Sequence, residues 1–382
     1  MNLLHNLKNL FHVLIIFQCL FFLFYLLSRK HRKRPANIIL AAFLFVLAFI
    51  ELGGVFAHFL DLKRYLLAHI PRILYIDFPF PFLAAPLLYF YVLSLARRDF
   101  RLKKAHLFHL VPFVFFVVLI LFRYHLHSAE TLRQMLKDGS LFDRLEGLIY
   151  SLLAYLQFLA YSLASFAVLR LFRRNLRDVY STVERINLSW LKFVLTGLVA
   201  VKSLEMIELG LWFATGDMKV VVLYYLAQIV FIVFLAVMFF KGLRQPEVFA
   251  VAEEANHQRK YEKALLSKEQ KEEYAKKLEF FMETEKPYLD PLLSLGGLAK
   301  KVAIPVHHLS QVLNTHFGQN FFDFINSYRI KESRRLLVDP NNGKRTVLQV
   351  VYGTGFNSKS VFNTAFKKHT GMTPSQFRKQ QG

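Results

Sequence analysis

Glu51, Asp77, Lys202, Glu205 and Glu208 are the residues of this 382-residue chain best placed to bind something or to carry a proton, because each falls within an otherwise apolar run. An ionisable group in hydrocarbon is costly, so it is kept by a partner or by a task. Lys202 and Glu205 are three residues apart on one helical face, and Glu208 lies one turn further. Two readings stay open: structural pairs such as Lys202 with Glu205, or an outward-open pocket for a small ligand, cationic or amine-bearing because the carboxylates outnumber the lysine. His106 and His109, and His125 and His127, are pairs without Glu, Asp or Cys at ligand spacing, so no metal is assigned. The single cysteine, Cys19, excludes a disulfide framework and a thiolate cluster. No HExxH, Walker loop, nucleophile elbow or kinase signature occurs. The chain is therefore predicted to be no enzyme and to use no cofactor.

The elements that carry these charges are apolar and long. The chain is 54% hydrophobic with 41 Phe, far above a soluble mean, and seven stretches can span a bilayer: 10–27, 36–56, 73–95, 107–122, 148–169, 191–213 and 220–240. The fourth is short, and Pro79, Pro81 and Pro86 interrupt the third. Basic residues choose the orientation: the first, third and fifth connections carry 15 Lys and Arg, the second, fourth and sixth only 8. The positive-inside rule makes the odd connections cytoplasmic, with the N-terminus outside and the C-terminus inside. No cleavable signal is expected, because the basic run SRKHRKR comes directly after the first stretch. Lys192 lies at a cytoplasmic end and can snorkel. Counted from that side, Glu51 lies about 22 Å and Lys202, Glu205 and Glu208 about 18–27 Å into the bilayer, while Asp77 starts its stretch from the outer side.

After Lys241 the composition turns polar and charged. Ser267 with Gln270 is a capping box, and Tyr274, Leu278 and Phe281 line one face of a helix that stops before Pro287. Such a rod docks on the C-terminal domain beyond Pro287, and dimer contact or signal relay is its other use. In that domain, 295–302 and 306–317 read as two short helices about a turn at 303–305. The plan repeats in 347–377, where Val347, Val350 and Val351 run to a break at Gly353 and Gly355 and Val361, Phe362, Ala365 and Phe366 line the next helix. Each pair is a helix-turn-helix whose second helix can enter a major groove. A single helix over 321–338, about 27 Å long, joins them and suits recognition helices roughly one DNA turn apart.

The tail from 292 to 379, a quarter of the chain, resembles the AraC/XylS family of bacterial transcription regulators through Arg329, Ile330, Gly355, Phe356, Phe362, Phe366, Gly371, Thr373 and Pro374. That family usually has Ala and then Gly four residues on in each unit, whereas this chain has Ala299 with Ala303 and Val351 with Gly355. Pro305 stands where the family often has a capping serine, which would cost about 1 kcal/mol. The resemblance implies double-stranded DNA as partner. It puts Lys359, Ser360, Asn363 and Thr364 at base edges, Lys367 and Lys368 at phosphates, and His307, Ser310, Gln311 and Asn314 at the matching first-unit positions. Lys and Asn suit guanine and adenine edges. An excess of 14 basic over 6 acidic residues from Glu283 onward suits phosphate contact, and the overall charge of +22 suits DNA or an anionic bilayer face alike. RNA polymerase and a second copy of the chain are further partners such a regulator implies.

The expected architecture is all-α: a seven-span sensor domain over 1–242, a charged helical linker over 243–286 and a tandem helix-turn-helix domain over 287–382. A transporter or membrane enzyme with a regulatory tail is the competing class, but neither a repeated half nor a catalytic constellation is found. A scaffold that has lost DNA binding is the third, separated by salt-dependent binding of the tail to promoter DNA.

Overall fold

The computed structural model describes residues 2–28, 35–97, 100–138, 144–181, 189–216, 220–243, 266–339 and 345–381. Among them the architecture is all-α, with no strand and one isolated antiparallel bridge between Tyr180 and Ser294. The chain forms two compact units: Met1–Leu169 with Leu188–Pro246, and Arg170–Asn187 with Glu247–Gly382. The first boundary falls inside a helix, and 170–187 groups with the tail. Leu176, Val179 and Tyr180 supply the reason, since these apolar residues of a basic connection are all buried.

The N-terminal unit contains α1 (Asn2–Ser28), α2 (Pro35–His58), α3 (Leu60–His69), α4 (Pro81–Ala96), α5 (Val111–Ile120), α6 (Ala129–Asp138), α7 (Arg144–Arg177, whose end belongs to the second unit), α8 (Ser189–Thr215) and α9 (Val221–Leu243). Among the described residues five runs are long and apolar enough to cross a membrane: Leu7–Ser28, Pro35–His58, Lys104–His125, Leu145–Arg177 and Val221–Phe240. The third expected stretch forms turns over 74–80 and becomes α-helical only in α4, which opens on Pro81, a residue whose missing N–H suits a first helical position. The fourth combines a 3₁₀ turn at Lys104–Leu110, α5 and a π-turn at Leu121–His125. The sixth, α8, is 27 residues long but carries four charged side chains, Lys192, Lys202, Glu205 and Glu208. Short α3 and α6 share a small core of Leu66, Leu74, Ile120, Tyr124 and Leu132. Basic residues at 29–34, Arg98, Arg185 and Lys219, and the joint at 244–265, lie outside the described residues.

In the second unit the sequence punctuates its helices with side-chain caps. Ser267 and Gln270 cap α10 (Lys268–Thr284) reciprocally. Ser294 opens α11 (Leu295–Val302), Asn320 opens α13 (Phe321–Val338), and Thr346 with Gln349 opens α14 (Val347–Gly353). Ser358 opens α15 (Lys359–Thr370), and Thr373 accepts from Gln376 N–H at the start of α16 (Pro374–Gln381). Between α11 and α13, α12 (Val306–Thr315) comes after Pro305 and has no side-chain cap, as the proline predicts. Residues Leu278 and Met282 of α10 pack with α11, α12 and the first turns of α13, so the rod is part of the first core.

Candidate nucleic-acid interface

Two helix-turn-helix units share α13. Phe321, Phe324 and Ile325 from its first half enter the core of the first unit, and Ile330, Leu336 and Leu337 from its second half join Val350, Val351, Phe356, Phe362, Phe366 and Phe377 in the second. The hydrophobic face therefore rotates along α13, which binds both units into one body. At the changeover sits Arg329, 1% exposed. Its Nε donates to Tyr288 O at 2.7 Å and its Nη2 to Asp290 O at 2.9 Å, and its guanidinium lies 5.6 Å from the centre of the Phe356 ring. Ser333 Oγ lies 3.0 Å from Thr354 Oγ1 and ties α13 to the second turn.

Both turns use the left-handed backbone region. Gly355 has φ +85°, and a methyl group on it would meet Tyr288 O, Leu289 O and Arg329 Nε. Ala303, at the matching place in the first unit, adopts φ +51° in spite of its side chain, a strain of about 1–2 kcal/mol that glycine avoids.

On α15, Lys359, Ser360, Asn363, Thr364, Lys367 and Lys368 are all exposed, while Phe362 and Phe366 on the other face are fully buried. This helix presents a polar ridge of the kind that hydrogen-bonds base edges and phosphates. Lys368 Nζ lies 2.9 Å from Asp323 Oδ1, so this lysine also steadies α15 against the start of α13. The first unit is less open. Asn314 is exposed, whereas His307, Ser310 and Gln311 are half-buried, and Gln311 Oε1 accepts from Leu266 N–H at 3.4 Å. His308 stacks on Tyr274 with centroids 5.8 Å apart, and burial, with His307 beside it, lowers its pKa.

Of the five ionisable candidates in the apolar runs, three have ion-pair partners: Lys202 with Glu205, and Glu51 with His12. Lys202 Nζ donates to Glu205 Oε2 at 2.7 Å, as their spacing predicts. Glu51 Oε2 lies 2.6 Å from His12 Nδ1, and Tyr224 Oη lies 2.9 Å from His12 Nε2. The His12 ring thus links α1 to α2 through Glu51 and to α9 through Tyr224. A side chain at Gly54 would run into the His12 ring, and one at Gly53 into the Asp77 carboxylate, so α2 makes room for both. The sequence reading missed His12 and Tyr224. His12 was visible as an ionisable residue inside the first apolar run, but its meeting with Glu51, 39 positions on, depends on how α1 and α2 pack.

Comparison with known proteins bears on the tail. Residues 298–380 match the family model described as "Helix-turn-helix domain". The HTH-type transcriptional regulator GlxA of Rhizobium meliloti is 29% identical over 90 residues, 24% of this chain and 27% of that protein. The Msm operon regulatory protein of Streptococcus mutans is 28% identical over 88 residues, 23% and 31% of the two chains. The HTH-type transcriptional activator RhaS of Pectobacterium atrosepticum is 28% identical over 85 residues, 22% and 29%. The chain thus spans less than a third of the length of these relatives, and each match covers less than a quarter of it.

Proposed function

We propose that this chain is a membrane-anchored, sequence-specific transcription regulator of the AraC/XylS type, whose tandem helix-turn-helix units read successive major-groove segments and whose apolar unit receives a signal. The carrying observation is the exposed polar ridge of α15 on a two-unit body, in a chain whose described residues also include five helices long and apolar enough to cross a membrane. The names of the tail's relatives support transcription regulation.

Seven spans, with the tail in the cytoplasm, fit the basic bias of the connections. A second line of support is independent of it. Arg170–Asn187 and Glu247–Gly382 group into one compact unit, which supports placing both on the same side of a membrane with α8 and α9 crossing as a pair between them. The His12–Glu51–Tyr224 chain and the Lys202–Glu205 pair are polar features available to the sensing unit. Glu205→Gln and Glu208→Gln should alter the transcriptional response without altering membrane insertion. A normal response from both across a range of outer pH and ligand conditions would make these carboxylates structural.

Cross-linking the intact chain to DNA in its host and sequencing the recovered fragments tests the whole reading. A small set of sharp sites is expected, and uniform recovery of the chromosome would overturn sequence-specific binding.

A further inference from the structure

We infer that the connection after α7 is a docked latch: the reader holds residues 179–181 in a groove closed by Arg329, and this contact sets how the two helix-turn-helix units are held together. The inference rests on the proposed regulator reading and adds the point at which a signal enters the reader.

The contact is made mainly by backbone. Tyr180 and Ser294 form an antiparallel bridge, in which Ser181 N–H donates to Leu293 O at 3.3 Å and Leu295 N–H donates to Val179 O at 2.9 Å. Ser181 Oγ also donates to Leu293 O at 2.7 Å. Arg329 closes the site, with Nη1 donating to Ser181 O and Nη2 to Ser181 Oγ, each at 3.2 Å. Leu176, Val179, Tyr180 and Ser181 are all buried, and the Arg177 guanidinium lies 5.6 Å from the centre of the Phe322 ring. Docking by strand addition takes its affinity from main-chain hydrogen bonds and its register from the buried side chains.

The location gives the contact its consequence. The guanidinium that holds Ser181 also holds Tyr288 O and Asp290 O at the entry to the first unit, and it faces Gly355 and Phe356 at the turn of the second. Arginine cannot shed its charge. Withdrawing Ser181 removes one acceptor from Nη1 and one from Nη2 while Nε keeps Tyr288 O and Nη2 keeps Asp290 O, and losing charge-assisted hydrogen bonds in a buried site is costly. The same guanidinium touches both units, so a change in its bonding alters their mutual setting. The helix leading to the latch, α7, runs unbroken from Arg144 to Arg177, and its Leu145–Arg177 run is one of those long and apolar enough to cross a membrane. A ligand or field that favours one setting of α7 reaches Ser181 through four residues, and it shifts DNA affinity by as much as it distinguishes the two settings.

The test uses the full chain in lipid nanodiscs, with a duplex selected from a randomised pool by the wild-type chain as probe. Tyr180 and Ser294 form the close, non-hydrogen-bonded type of antiparallel pair, with Cα atoms about 4.5 Å apart, within disulfide reach. Tyr180→Cys with Ser294→Cys should therefore cross-link fully under mild oxidation, Cys19 being buried. Ser181→Pro removes the N–H and the hydroxyl; Ser181→Ala removes the hydroxyl alone. The Kd of Ser181→Pro should differ at least tenfold from that of the locked chain, with Ser181→Ala between them. Absence of the disulfide in a chain that binds its duplex normally overturns the docking. A disulfide that forms while the locked, Ser181→Pro and Ser181→Ala chains all bind within twofold of wild type overturns the coupling. A wild-type chain that selects no duplex overturns the regulator reading and the coupling with it, while disulfide yield still decides the docking.

Discussion

Replacing Gly355 by Ala probes the seam at which the two helix-turn-helix units meet. The residue has φ +85°, and a Cβ would lie 2.5 Å from Tyr288 O, 2.9 Å from Leu289 O and 3.0 Å from Arg329 Nε. Two of these atoms are backbone, and the third donates to Tyr288 O at 2.7 Å, so none is the loose end of a flexible side chain. The left-handed conformation costs alanine about 1–2 kcal/mol, and forcing a methyl group into a filled site costs about 1–3 kcal/mol more. The sum, about 2–5 kcal/mol, raises the population of the opened second unit at least about 30-fold at roughly 1.4 kcal/mol per decade. Hydrogen exchange on the full chain in nanodiscs reads this directly. Amides of α14, α15 and α16 should lose protection by at least about 30-fold while α1 and α2 keep theirs. Gly353→Ala is the control: nothing lies within 4 Å of its Cβ position, so it should be neutral or stabilising by up to about 1 kcal/mol. Protection of α14 to α16 within threefold of wild type in Gly355→Ala would refute the packing argument.

Ala303→Gly should act in the opposite sense, relieving about 1–2 kcal/mol of strain against an entropic cost of about 0.5–1 kcal/mol; slower exchange in α11 and α12 would register the net gain, and faster exchange would contradict it. Glu332 is held by Arg335 at 2.8 and 3.1 Å and by Lys286 at 3.6 Å, which keep its carboxyl below the ordinary value of 4.5. A depressed carboxylate stabilises above 4.5 and loses that contribution as pH falls through its lower folded value. Thermal melts of the full chain should therefore fall with acidification below pH 4.5, and Glu332→Gln should flatten that dependence. Reporter fusions at Lys137 and at Gly382 should report opposite sides of the membrane, and the same side for both would sink the seven-span topology.

The tail was legible because its signals are local. Ser267 with Gln270, the stop before Pro287, the apolar spacing of 321–338 and the breaks at 303–305 and 353–355 each act within one or two turns, and the helices lie where those signals put them. Its buried and exposed faces obey the same periodicity, so the polar ridge of α15 could be read off Phe362 and Phe366. Two features were hidden for physical reasons. The bridge between 179–181 and 293–295 is made by amides and carbonyls that every residue carries, and a basic connection with two or three apolar residues gives no hint of its partner. The meeting of His12 with Glu51 and Tyr224 is set by the packing of α1, α2 and α9, which spacing within one helix does not encode.

The central claim, sequence-specific DNA reading by a chain held in a membrane, meets its most direct test in selection from a randomised duplex pool by the full chain in nanodiscs, repeated with Asn363→Ala and Lys367→Ala. Enriched duplexes should carry two half-motifs about 10–10.5 base pairs apart. Asn363→Ala should relax preference in one half-motif at about 1–3 kcal/mol, while Lys367→Ala should weaken all sequences alike and lower the salt slope by about one. No enrichment by the wild-type chain, or equal losses on selected and random DNA for Asn363→Ala, would contradict it.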